Sequence, residues 1–183
     1  MRIIAGRARG RRLHVPPAGT RPTADRVREA LFSSLDVLVD DWSEVRFLDV
    51  CAGSGAVGLE ALSRGAARST LVEDDRRCSD VLRRNAAAVD ARAEIVIADA
   101  RTWDPGDRTF DIVYVDPPYA MSDEDLRRIL VNLTAGAHLA PEALLIVERA
   151  ARSTTPWPDE GWEELRRRDY GDTSLWYGRH RNV

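Results

Sequence analysis

The chain has 183 residues, 44% hydrophobic and 31% charged, with a net charge of −3. That is the profile of one soluble domain able to bury a real core, which excludes a disordered chain, and no apolar run approaches membrane-spanning length. Two cysteines without CxxC spacing (Cys51, Cys78) and three scattered histidines argue against a disulfide scaffold or a metal site, and fit a reducing cytoplasm.

Charge is unevenly placed along the chain. Residues 1–28 hold Arg2, Arg7, Arg9, Arg11, Arg12, Arg21, Arg26 and Arg28 against the single acid Asp25, so this head carries +7 and the remainder −10. A basic head on an acidic body points to a polyanion-binding surface, with a solvated charged face as the plainer alternative. Met1–Arg12 has charge on both sides of a short apolar patch and lacks a secretory apolar region, so a cytoplasmic protein is expected.

In chain order, residues 2–15 predict two short strands around a glycine turn, a small basic hairpin. Thr23 is a candidate N-cap for a helix that places Val27, Leu31, Leu35 and Leu38 on one face. A strand over 46–50 then leads through a Gly-rich turn to a helix stopped by Gly65. Strand 69–74 precedes a helix, strand 93–99 a loop, and strand 110–115 a helix capped by Ser122. Strand 142–149 follows, and residues 164–180 predict a closing antiparallel hairpin turned at Gly171-Asp172. Short strands alternating with helices give an α/β fold with seven strands, Rossmann-like and mostly parallel. The boundary between basic arm and main domain is placed at residues 20/21. Trp157 and Trp162 fall in a Pro-rich loop that covers the core edge.

Gly53-Ser54-Gly55-Ala56-Val57-Gly58 matches GxGxxG after a strand and before a helix, where missing side chains let a ligand approach the backbone. Twenty residues beyond Gly53, Glu73 ends the next strand, the place of a carboxylate that binds ribose hydroxyls. Asp49, inside the first strand, would repel a pyrophosphate but suits a cofactor bearing a sulfonium and an ammonium; its alternative is to cap loop amides. Asp99 ends the third strand, positioned either to accept from an adenine amine or to cap a turn. Ala52, Ser54, Gly55, Asp74 and Ala100 flank these positions and complete the candidate cofactor set.

The fourth strand runs into Asp116-Pro117-Pro118-Tyr119. Two prolines fix an elbow whose carbonyls have no competing N–H, beside a carboxylate and a ring. Asp116 and the Pro117 carbonyl can accept the N–H bonds of an exocyclic base amine, while Tyr119 stacks on a flipped base. The alternative is an ordinary rigid turn. Cys51 reads as a small packing residue and Glu148 is assigned no role.

The ordered set LDVCAGSGAVGLEALSRGA, LVED, ADA and DIVYVDPPY resembles the class I S-adenosylmethionine-dependent amino-methyltransferases. The head, MRIIAGRARGRRL…TRPTADRVREALFSSL, resembles the RsmD family of 16S ribosomal RNA guanine-N2 methyltransferases. The resemblance implies methyl transfer from S-adenosylmethionine to N2 of guanine 966, in the helix 31 loop of 16S rRNA. It implies the small subunit or an assembly intermediate as partner, with no metal and no membrane, and a monomer is expected. Carried over, Asp49, Gly53 and Gly55 line the cofactor, Glu73 holds the ribose, Asp99 the adenine, and Asp116 to Tyr119 the target base. Where the family often shows an aromatic residue this chain has Cys51, which removes no group the chemistry needs.

Three other readings compete with this one. DNA adenine-N6 methylation fits DPPY, but 183 residues leave no room for a separate target-recognition domain. A non-catalytic RNA-binding or assembly protein leaves the intact DPPY and glycine loop unexplained. An NAD-dependent oxidoreductase of the Tyr-x-x-x-Lys type is excluded because the chain has no lysine.

Overall fold

The computed structural model describes residues 1–16, 25–158 and 160–181. Arg21, the Thr23 cap and the boundary at residues 20/21 lie outside the described residues.

Seven strands form one sheet in the order β3-β2-β1-β4-β5-β7-β6. β1 (Arg46–Val50), β2 (Arg68–Glu73), β3 (Glu94–Ile97), β4 (Phe110–Val115) and β5 (Leu139–Ala150) run parallel, while β6 (Trp162–Tyr170) and β7 (Thr173–His180) close the sheet antiparallel. Strand order reverses beside β1, between β2 and β4, and there the carboxyl ends of the strands open a crevice.

Strand alternation sends successive side chains to opposite faces, so each central strand feeds two cores. Phe47, Ile112, Tyr114 and Ile146 pack on one face with Leu31, Phe32 and Leu35 of α1 (Asp25–Leu38) and Val57 of α2 (Ala56–Arg64). Leu48, Val113, Val115 and Leu145 pack on the other against Leu126, Ile129 and Leu130 of α4 (Asp123–Ala135). A third cluster joins Leu59 of α2, Leu71 of β2 and Leu82 of α3 (Arg76–Ala88) to Ile3, Ala8 and Leu13 of the head. Helices on both faces make the sheet doubly wound.

Boundaries follow local chemistry. Gly65 stops α2 at φ 115°, Asp75 caps α3 by accepting from the Arg77 amide, and Ser122 caps α4 by accepting from the Asp125 amide. Four expectations shift. Leu38 is 51% exposed, because it ends α1 beyond the core that takes Val27, Leu31 and Leu35. β5 begins three residues early, at Leu139, with its register against β4 shifting between Phe110 and Ile112. Trp162 opens β6 rather than lying in a loop, and its ring stacks on Trp157 at 5.4 Å.

The fourth shift concerns the head, which forms a single bridge, Arg2 with Arg12, instead of two strands. The Ile3 and Leu13 amides still bond across the turn, to the Arg11 and Met1 carbonyls, while other head amides turn to α2. The fully buried Glu60 carboxylate accepts from the Ile4 and Ala5 amides at 2.7 and 2.9 Å. Ser63 accepts from the Ala8 amide through its hydroxyl and from the Arg7 amide through its carbonyl. Gly6 sits at this seam with φ +76°, and a Cβ there would lie 1.9 Å from the Ser63 carbonyl oxygen. Gly10, φ +83°, has nothing within 4 Å of its missing Cβ. Gly6→Ala is therefore expected to cost about 3 kcal/mol in urea unfolding, and Gly10→Ala about 1, since only the first adds a backbone clash to left-handed strain. Equal losses would show that the head is not seated on α2 in solution.

Candidate active site

A cavity of about 780 Å³ opens at the carboxyl edge of β1, β2, β4 and β5. Its first wall is the turn from β1 into α2. Cys51, Gly53 and Gly55 take φ of 61°, 54° and 75°, so the chain reverses tightly and starts α2 from a left-handed cap. Nothing lies within 4 Å of a Cβ built on Gly53, so the missing side chain leaves open space beside the backbone. Gly58 packs closely instead: a Cβ there would meet Leu71 Cδ2 at 2.1 Å. Of these two glycines in one motif, one leaves open backbone at the cavity and the other makes a helix–strand contact.

Two acids hold this turn. Asp49, 2% exposed, accepts from the Gly58 amide at 2.8 Å. Burial raises its carboxyl to about 7, against the help of that amide and with the added repulsion of Glu73. Glu73 ends β2 and accepts from the Gly53 amide at 2.7 Å and the Asp75 amide at 2.9 Å. Its carboxyl is also raised, by burial first. Both acids line the cavity, with exposed Asp74 beside them. Asp49 therefore accepts from an amide in the first turn of α2, near the capping role weighed for it, and it also faces the cavity.

Opposite stands the elbow after β4. The Asp116 amide donates to the Val50 carbonyl at 3.3 Å, and the Met121 amide to the Pro118 carbonyl at 2.8 Å, fixing the turn from both ends. Asp116, Pro117, Pro118 and Tyr119 all line the cavity, and Tyr119 is 65% exposed at its mouth. Burial and the surrounding carboxylates, Glu73 before Asp116, push the Cys51 thiol up, which suits packing and not a thiolate.

Other candidate positions lie elsewhere. Gly55 shapes the turn without lining the cavity. Asp99, expected to end the third strand, lies two residues past β3, and with Ala100 it is absent from the wall; its carboxylate is gripped by the Arg101 side chain at 2.7 Å, which holds it below the usual range. Arg2, Arg7, Arg9, Arg11, Arg12 and Arg26 are exposed. Arg28 is a correction to the arginine set: fully buried, it donates to Asp25 at 2.7 Å and to the Arg2 carbonyl at 2.8 Å, so it holds the head to α1 and offers no surface to RNA.

Sequence reasoning missed two features. Fully buried Asn85 of α3 donates to the Ser54 carbonyl (2.8 Å) and the His14 carbonyl (2.9 Å), tying the head to the glycine turn. Glu148, at the end of β5, lines the cavity and accepts from the Tyr114 hydroxyl. An asparagine at a helical core position was a visible signal for the first; a strand-end acid beside DPPY was one for the second.

A doubly wound sheet with a glycine turn after β1, an acid ending β2 and DPPY after β4 defines the class: a Rossmann-like class I methyltransferase, dependent on S-adenosylmethionine. The chain belongs to the family described as Conserved hypothetical protein 95, the RsmD family, which matches residues 1–179. The Escherichia coli K12 protein named Ribosomal RNA small subunit methyltransferase D is 41% identical over 178 residues, covering 95% of this chain and 87% of that one. The Haemophilus influenzae protein of the same name is 34% identical over 181 residues, covering 95% and 91%. A solved structure described as the putative methyltransferase yhhF from Escherichia coli superposes with TM-score 0.83 at 38% identity, covering 98% and 97%.

Proposed function

We propose that this chain methylates the exocyclic N2 of a guanine in 16S ribosomal RNA, at the position equivalent to guanine 966, during small-subunit maturation in the cytoplasm. The observation that carries the reading is one cavity walled on one side by Asp49, Gly53 and Glu73 and on the other by Asp116 to Tyr119. The names of the two relatives support RNA of the small subunit as the target. We read the enzyme as a monomer that acts on the subunit or an assembly intermediate and uses no metal.

The donor set fits S-adenosylmethionine. Asp49 and Glu73 offer buried carboxylates to an ammonium and to ribose hydroxyls, and Gly53 leaves room at the backbone. Asp99 would take the adenine amine only after releasing Arg101. When bound, the cofactor supplies a methyl group on a positive sulfur. Asp116 and the Pro117 carbonyl accept the N2 hydrogens, which localises the nitrogen lone pair and aims it at that methyl. Tyr119 stacks on the flipped base. As the new N–C bond forms, Asp116 stabilises the cationic amine, takes its proton and passes it to solvent; S-adenosylhomocysteine is the other product. The exposed arginines of the head grip phosphates and orient the RNA without reading sequence.

Tritiated methyl transfer tests this with three acceptors: small subunits lacking the modification, free 16S rRNA and plasmid DNA, each digested to nucleosides. N2-methylguanosine from one or both RNA samples is the expected product. Label in DNA adenine, or label in none, would remove the reading.

A further inference from the structure

Glu148 has no part in the chemistry above, yet it sits beside Asp116. β4 and β5 are parallel and their last paired residues are Val115 and Val147. Glu148 follows in β5 and Asp116 just past the end of β4, where its amide still bonds the Val50 carbonyl, so continued alternation puts both side chains on one face with backbones about 5 Å apart. Both line the cavity. The Tyr114 ring is 1% exposed in the core below, and its hydroxyl donates to Glu148 Oε2, holding the carboxylate in one orientation. Across the other strand boundary Glu148 pairs in register with Leu175 of β7.

We infer that Glu148 selects guanine by accepting its N1–H while Asp116 holds N2, an inference that rests on the guanine-N2 reading above. Guanine is the one common base with two adjacent donor groups, N1–H and the exocyclic amine, on its pairing edge; in adenine and cytosine the ring nitrogen beside the amine is an acceptor. Two side-by-side carboxylates match the first pattern. Against adenine, Glu148 would set its charge against a lone pair, and a site left with such an unmatched polar group discriminates strongly. Asp116 serves any exocyclic amine, so Glu148 is the group that distinguishes among them.

The test is target RNA, presented in the acceptor that the wild-type protein methylates, with guanine or 2-aminopurine at the target position. 2-Aminopurine keeps the N2 amine but carries a lone pair at N1. The wild-type chain is expected to prefer guanine by at least about 100-fold in kcat/KM. Glu148→Gln places an amide that can donate to that lone pair. It should lose about 10- to 100-fold on guanine and bring the preference within about tenfold. If both substrates slow in step and the wild-type ratio persists, Glu148 is only structural and the inference is overturned. Should Glu148→Gln not fold, Tyr114→Phe keeps the packing and loses the orienting hydroxyl; it should lower the ratio severalfold, and an unchanged ratio overturns the inference equally. A wild-type reaction that yields no N2-methylguanosine is seen before any variant is made; it marks failure of the parent reading, and Glu148 loses its role with it.

Discussion

Asp116→Ala is expected to lower methyl transfer by a factor of about a thousand while changing affinity for S-adenosylhomocysteine less than about threefold. A neutral exocyclic amine delocalises its lone pair into the ring, and a carboxylate acceptor both localises the pair and neutralises the charge that develops on attack. Groups placed against developing charge contribute about a hundred- to a thousandfold, and proton acceptance contributes a similar amount that overlaps with it. The loss will be chemical, because the backbone itself holds the elbow. The elbow is fixed by the Asp116 amide on the Val50 carbonyl, the Met121 amide on the Pro118 carbonyl and the two proline rings, none of which needs the side chain. Asp49 and Glu73, which we assign to the cofactor, hold the far wall by accepting from the Gly58 and Gly53 amides. Single-turnover transfer of tritiated methyl gives the rate and calorimetry with S-adenosylhomocysteine the affinity. Transfer within tenfold of wild type would take Asp116 out of the chemistry; equal loss of affinity would mean that it shapes the cofactor site. Asp116→Asn keeps one acceptor oxygen without charge and should fall between the two.

What the sequence made legible was what local chemistry encodes. β1 and β4 are found at their read limits, 46–50 and 110–115, because β1 runs into a Gly-rich turn and β4 into two prolines. Gly53, Glu73 and Asp116 could be placed on one sheet edge because α/β topology puts every parallel strand end on the same side. Contacts across long separations were not legible. The head reads as a hairpin from its alternation and glycines; nothing near it announces that Glu60, more than fifty residues away, will take its amides. Arg28 reads as one more surface cation in a basic run, and only the packing of α1 under the head shows it buried. Asp99 reads as a third edge acid, yet Arg101 two residues on takes its carboxylate, a local competition that spacing leaves undecided. Glu148 was ambiguous for a related reason. Adjacent residues of a strand face opposite ways, so sequence neighbours find different partners: Arg149 reaches Asp123 at 2.5 Å, while Glu148 meets Tyr114.

Asp49→Asn should make the cofactor-free protein more stable and less able to bind, both in a pH-dependent way. Burial raises this carboxyl from 3.8 to about 7, so the native state holds its proton more tightly than the unfolded chain. Stability from this group is therefore greatest at low pH, falls as pH rises from about 4 towards 7, and is flat above that. The full loss is about 4 kcal/mol at pH 8, an order-of-magnitude figure. Asparagine has no charge to desolvate and can still accept from the Gly58 amide, so the variant should recover much of that loss at pH 8 and little at pH 4. Urea unfolding of the cofactor-free protein at the two pH values reads the difference. Cofactor binding should move the other way. An ammonium or sulfonium beside Asp49 favours the charged carboxylate, so binding drives off a proton below pH 7 and affinity rises with pH until about 7. Between pH 5.5 and 7.5 the wild-type affinity for S-adenosylmethionine should climb about tenfold, and the Asp49→Asn affinity should be lower and nearly flat. A variant that keeps the wild-type slope would assign the titration to Glu73, the other raised carboxyl in the cavity. A variant that is destabilised at both pH values would show that asparagine does not keep the bond to Gly58, and that Asp49 is in the strand to hold the turn. The expected pairing, stability gained where binding is lost, is the signature of a charge kept buried for its ligand.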